Sequence, residues 1–210
     1  MKITTLIRAA CTIGLAFGLA ASASAAGISY TTNSPLTKFG GGGLTLNSTG
    51  GEAATLTFTA NTASNSGVPS NINLGDFLLI CSTCTVSQTT TFGAFTFDLV
   101  VVDTTDNASG IFTGTSSGGV VSSDSSTINI TFSPVSFGPG TNNALTGDFG
   151  STVFSKLSPV TSIVAPNSGT PPGDSTVQAQ VASSPEPASF VLFGCALAGL
   201  GVARRKSSSR

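Results

Sequence analysis

Two cysteines three positions apart have the spacing that most directly suggests chemistry in this 210-residue chain. Cys81 and Cys84 form a Cys-X-X-Cys motif, which in redox enzymes stands at the start of a helix that lowers a thiol pKa. Residues 85–91 are β-branched or polar and do not favour a helix start. A redox-active dithiol is therefore the weaker alternative, and we predict a disulfide that closes a hairpin turn. The other two cysteines, Cys11 and Cys195, lie in the hydrophobic N- and C-terminal segments, so Cys81 and Cys84 have no further Cys or His partner between those segments, which argues against zinc.

The other ionisable residues offer few routes to catalysis. The chain has no His, which excludes a Ser-His-Asp triad and His-based metal sites. Away from the chain ends a Ser-Lys dyad can use only Lys38 or Lys156, and neither lies in a nucleophile motif. A catalytic carboxylate pair stays open as an alternative, because such a pair is defined by its spacing in three dimensions. We expect no enzymatic activity and no cofactor.

One group of oxygen-bearing side chains has the composition of a calcium loop. Asp103, Asp106 and Asn107 could supply oxygen ligands to calcium, a hard cation. Their spacing does not match an EF-hand loop, and Asp and Asn are common in turns for backbone reasons. A solvated turn is the favoured interpretation, and we predict no metal site.

The segment that must position these residues has the alternation of β-strands. Apolar side chains occupy every second position in four stretches, with mostly polar residues between them. No part of residues 27–182 has a helical period, so the pattern predicts an all-β fold, an antiparallel, jelly-roll-like β-sandwich. Residues 166–173 are predicted to form a loop before the last strand. The apolar positions are Leu56 and Phe58; Phe95, Phe97, Leu99 and Val101; Ile128, Ile130 and Phe132; and Val177, Ala179 and Val181.

The N-terminal segment, residues 1–26, has the three parts of a signal peptide. Lys2 and Arg8 precede an apolar run, and small residues follow up to Ala26. Cleavage after Ala23, Ala25 or Ala26 satisfies the requirement for small residues. A retained N-terminal anchor is the alternative.

The C-terminal segment has the pattern of a membrane anchor. Residues 188–203 are uncharged and mostly apolar, and Arg204, Arg205 and Lys206 follow at once. As a helix this stretch would be about 24 Å long, which spans a membrane with some local thinning. The basic cluster predicts that residues 204–210 stay cytoplasmic and that residues 27–187 lie outside the inner membrane. A buried core helix is the alternative.

A short motif stands immediately before this apolar stretch. Residues 183–187 contain Pro185-Glu186-Pro187, and the two prolines favour an extended conformation that a protease can bind. The motif, the apolar helix and the basic cluster together resemble the PEP-CTERM sorting signal of Gram-negative bacteria. This resemblance implies that an exosortase, a membrane-embedded transpeptidase, is the processing partner and cuts near the motif. Similar tails occur on some ice-binding proteins.

The net charge of residues 27–187, the segment predicted to be exported, limits the kinds of partner that it can bind. Residues 27–187 carry nine acidic residues and two basic ones, a net of −7, which argues against nucleic acid or an anionic membrane. We predict a non-catalytic protein of the cell surface or extracellular matrix. The alternative is a module that binds polysaccharide or ice through threonine-rich strand faces such as Thr55, Thr57 and Thr59. A flat array of outward threonines would favour ice, and a concave cleft with exposed Phe or acidic residues would favour polysaccharide.

Overall fold

Short β-strands form all the regular structure in the residues that the computed structural model describes, which are 27–134, 136–138, 144–146 and 152–183. This part of the chain contains no helix, in agreement with the period-two pattern of its sequence. The strands are β1 (Ile28–Thr31), β2 (Lys38–Phe39), β3 (Thr45–Asn47), β4 (Gly50–Gly51), β5 (Thr55–Ala60), β6 (Thr62–Ser66), β7 (Ser70–Ile80), β8 (Thr90–Phe92), β9 (Phe95–Asp103), β10 (Ala108–Ser116), β11 (Gly119–Val121), β12 (Asn129–Ser133), β13 (Ser136–Phe137), β14 (Ala144–Thr146), β15 (Thr152–Lys156), β16 (Val160–Ser162) and β17 (Asp174–Ser183).

The strands pair into three antiparallel sheets. The first sheet has eight strands in the order β16-β12-β10-β9-β1-β6, with β14 beside β10 and β2 beside β9. The second sheet has six strands in the order β13-β15-β17-β7-β5-β3, and a third contains β11-β8-β4. The pairing of β7 with β17 and of β1 with β9 joins segments that are distant in sequence. The prediction of an all-β, antiparallel fold is confirmed for the described residues.

The inward side chains of the first and second sheets form one hydrophobic core. The ring centroid of Phe97 on β9 lies 4.8 Å from that of Phe58 on β5 and 4.9 Å from that of Phe77 on β7. Each Phe buried in this way stabilises the fold by about 1.5–3 kcal/mol. The apolar residues of the predicted alternation all belong to this core, and Phe95 is half-buried at its edge.

Polar side chains tie the two large sheets together inside the protein. The buried Tyr30 of β1 donates its hydroxyl hydrogen bond to the carbonyl oxygen of Asn73 on β7, at 2.7 Å. Thr32 donates to the carbonyl oxygen of Leu74, at 2.8 Å. These bonds satisfy buried groups that would otherwise destabilise the fold, so they fix the relative position of the sheets.

Val100 departs from the simple alternation. The sequence places it on the more polar face of β9, yet its side chain is only 1% exposed. The reason is the segment before β2, where the Thr37 hydroxyl hydrogen-bonds both the N–H and the carbonyl of Val100, at 3.1 and 3.3 Å. This contact covers β9 from outside the main core.

The chain ends lie outside the described residues. These ends include the predicted signal peptide, the Pro185-Glu186-Pro187 motif, the apolar stretch 188–203 and the basic residues Arg204, Arg205 and Lys206. A search of the described residues for a helix long and apolar enough to span a membrane finds none.

Candidate functional site

The Cys81 and Cys84 side chains form a disulfide, as predicted. Their Cα atoms lie 5.4 Å apart, and the bond closes the turn that follows β7. The turn does not join paired strands as the hairpin prediction required, because β7 belongs to the second sheet and β8 to the third. The bond therefore links the end of the core strand β7 to a loop that runs on to another sheet. Its direct effect is structural, since a short disulfide ring restricts the unfolded chain.

Asp103 ends β9 and is the buried one of the three residues, with Asp106 and Asn107, that could supply oxygen ligands to calcium. It is 0% exposed, and its Oδ1 atom accepts hydrogen bonds from the N–H groups of Thr105 and Asp106, at 2.9 and 3.3 Å. Its Oδ2 atom has no hydrogen-bond partner within the part of the chain that the structure describes, and burial raises the pKa of the carboxyl group. Asp106 and Asn107 are exposed, and within the described residues no three His, Cys, Asp or Glu side chains are grouped to hold a metal.

The threonines of β5 lie on the outer face of the second sheet, as expected. Thr59 is exposed, and Thr55 and Thr57 are half-buried. Their neighbours across the sheet are mixed: Thr57 lies between Thr45 and Leu78, while Thr59 stands beside Asp76. The outward threonines of β5 thus alternate laterally with apolar and acidic residues and do not extend into a regular array.

A concave groove with an aromatic wall lies at one end of the first sheet. We call it the Phe95 groove; its volume is about 550 Å³, and it is bounded by the glycine turn after β2, by Leu46, by the start of β9 and by the end of β10. Phe95 is half-buried and packs edge-on against the buried Phe39, with centroids 5.7 Å apart. Gly40 and Gly41 are among the lining residues and contribute no side chain to the groove.

A second cavity contains a buried cation. We call it the Lys156 pocket; its volume is about 310 Å³, and it lies between β15, β16 and β17. Lys156 is only 8% exposed, and its Nζ atom lies 4.5 Å from the centroid of the Phe132 ring on β12. Among the described residues its Nζ atom has one hydrogen-bond partner, the Thr161 hydroxyl at 3.4 Å. Lys156 therefore reaches from the second sheet to the first.

Burial shifts the pKa of both charged residues that line this pocket. Burial lowers the pKa of Lys156 from 10.5 to about 8, and no carboxylate of the described residues forms an ion pair with its ammonium group. Asp174 also lines the pocket, and burial, together with the nearby Asp76, raises its pKa. Cation–π contact with Phe132 offsets part of the desolvation of the ammonium group.

One sign of this pocket was present in the sequence and was overlooked. Residues 152–156 contain Phe154 and Lys156 at positions of the same parity, so a strand that buries the Phe must also direct the Lys inward. A charged residue on a predicted core face is rare unless it is paired or functional. The partner side of the pocket, on β16 and β17, depends on pairings that the local pattern does not specify.

Comparison with protein-family models, with curated proteins and with solved structures finds no match to this chain. Function is therefore inferred from its own residues and their geometry.

Proposed function

We propose that the protein is a non-catalytic component of the cell surface or extracellular matrix, exported by its signal peptide and sorted by a PEP-CTERM-like tail. The observation that carries this proposal is the disulfide between Cys81 and Cys84. Disulfides persist in oxidising compartments outside the cytosol. The sequences of both chain ends predict that residues 27–187 are exported to such a compartment. An exosortase is the processing partner, and the membrane holds only the precursor, through residues 188–203.

The proposal extends to the architecture. The two large sheets share one core, which supports a β-sandwich of the jelly-roll-like kind. The last strand, β17, ends at Ser183, and one residue separates it from Pro185 in the sequence. A cut near Pro185-Glu186-Pro187 would then release the β-domain without removing any strand of its sheets.

Substitution of the motif tests the sorting proposal. A variant with Ala at positions 185, 186 and 187 should accumulate in the inner membrane at precursor mass, because the exosortase no longer recognises it. The matched control is Glu52→Ala, which removes one acidic residue from the loop beside β4. Cell fractionation followed by immunoblotting gives the readout. Release of the motif variant to the surface at the same rate as the control would contradict the proposal.

Saccharide binding is a second candidate function, favoured by the Phe95 groove. A sugar ring presents a face of C–H groups that packs on an aromatic ring, and its hydroxyls need polar partners at the rim. The groove offers the Phe95 ring and the side chains of Thr96, Thr115 and Ser116. Its volume, about 550 Å³, lies within the range of small-molecule sites. Its aromatic lining, together with the lack of a regular threonine array on β5, favours a polysaccharide over ice.

A pull-down on insoluble polysaccharide prepared from the matrix of the source cells tests this second function. Phe95→Ala should weaken retention, whereas Phe92→Ala serves as a control that removes a buried Phe outside the groove. Equal retention of wild type and Phe95→Ala would contradict binding at this groove.

A further inference from the structure

We propose that the Lys156 pocket binds a carboxylate group, and that sugar acids are the ligand class it fits best. The site is separate from the Phe95 groove and does not depend on the sorting tail. It goes beyond the proposed function because it assigns a specific chemical group to one cavity of the exported domain.

The ammonium group of Lys156, which forms no ion pair with a carboxylate of the described residues, is the first argument. Lys156 has three N–H donors, and the described residues supply one acceptor, the Thr161 hydroxyl at 3.4 Å, which is a long hydrogen bond. The Phe132 ring occupies one side of the ammonium group, and the cavity adjoins it. A buried charge without a counter-ion destabilises the fold, so an anion entering the cavity gains a strong, partly desolvated partner.

The lining of the cavity is the second argument, and it favours a ligand rich in hydroxyl groups. Ser158, Ser162, Thr176 and Gln178 also line the 310 Å³ space. Asp174, the other charged residue of the lining, can accept hydrogen bonds from ligand hydroxyls. This volume is at the small end of ligand sites and suits a compound of monosaccharide size.

The rim is the third argument. Leu157, directly after β15, and Val160, the first residue of β16, are 45% and 40% exposed and line the pocket. Apolar side chains at that place can contact the C–H face of a sugar ring. A simple inorganic anion would leave them without a partner.

The charge of the domain limits the size of the ligand. Residues 27–187 carry a net charge of −7, which repels a long polyanion at a distance. A single carboxylate, on a monomer or at a chain end, avoids most of this repulsion and still reaches Lys156.

Isothermal titration calorimetry on the purified full-length protein in detergent tests the proposal. The probes are D-glucuronate, D-glucose, which lacks the carboxylate, and acetate, which lacks the sugar. The variants are Lys156→Met, which keeps the chain length over Phe132, and Lys38→Met, which removes the same charge from the half-buried β2. Loss of a hydrogen-bonded charge is expected to weaken binding about tenfold or more.

The expected result is saturable glucuronate binding that is lost in Lys156→Met, kept in Lys38→Met and weak for glucose. In the wild type, affinity should fall as pH rises through about 8, where Lys156 loses its proton. This pH series uses only the wild-type protein, so it tests the proposal even if the Lys156→Met variant does not fold. Acetate binding as tight as glucuronate binding would overturn the sugar-acid class and assign the site to simple organic acids. Absence of binding by both carboxylates, or unchanged binding in Lys156→Met, would overturn the site itself.

Discussion

Replacement of Lys156 by Met should stabilise the folded protein at neutral pH. Burial lowers the Lys156 pKa from 10.5 to about 8, so keeping the ammonium group charged at pH 7 costs about 3 kcal/mol of folding free energy. Met has a similar length and can pack on the Phe132 ring, but it leaves the Thr161 hydroxyl without its donor, a loss of about 1 kcal/mol. The expected net gain is about 2 kcal/mol.

The sign of the pH dependence follows from the same pKa shift. Between pH 8 and 10.5 the unfolded lysine holds a proton that the folded one has lost, so wild-type stability should rise with pH across this window. From pH 7 to 9.5 the rise is about 2 kcal/mol. Measurements stop there because burial raises the Tyr30 pKa, which opposes the trend once unfolded tyrosine ionises.

Urea unfolding of wild type, Lys156→Met and Lys38→Met at pH 7 and 9.5 measures the effect. The advantage of Lys156→Met over wild type should shrink as pH rises, and Lys38→Met should show no such convergence. Two results together would refute the inference that the Lys156 ammonium group is desolvated. They are a Lys156→Met variant no more stable than wild type at pH 7, and a wild-type stability that does not change from pH 7 to 9.5.

Three further substitutions or modifications test other parts of the structure. Thiol labelling of Cys81 and Cys84 without reductant should fail, and ready labelling of both would reject the disulfide. Replacement of both cysteines by Ser should lower the free energy of unfolding by about 2 kcal/mol. Gly75→Ala should destabilise the protein by at least about 2 kcal/mol in urea unfolding, because Gly75 has a φ of +133° and an added Cβ would overlap the Phe58 ring. Gly41→Ala is its control, since a Cβ there meets open space, and equal effects at the two glycines would contradict this reasoning. Phe95→Ala should weaken retention on matrix polysaccharide with little change in stability relative to replacement of a fully buried Phe, and pull-down beside urea unfolding separates the two effects.

Local patterns predicted the elements of this fold, because strand alternation is a property of neighbouring residues. The stretch around Leu56 and Phe58 became β5, and the stretch from Val177 to Val181 lies within β17. The disulfide was equally local, since its two cysteines are three positions apart. The predicted loop at residues 166–173 also lies between two strands, β16 and β17.

Local patterns missed the features that depend on pairing between strands distant in sequence. Burial of Val100 depends on the Thr37 segment, 63 positions away. The hairpin prediction for Cys81 and Cys84 failed because β8 pairs with β4 and β11 instead of β7. The Lys156 pocket likewise requires β16 and β17 to meet around a residue of β15. Long-range pairing is selected by burial across the whole core, which no single segment encodes.

Mass spectrometry of the C-terminus, on protein recovered from cells and medium of a strain that has an exosortase, tests the sorting account most directly. The account predicts a mature chain that ends near Pro185-Glu186-Pro187, with residues 188–210 removed and the disulfide of Cys81 and Cys84 intact. Recovery of only the uncut chain ending at Arg210 would contradict it.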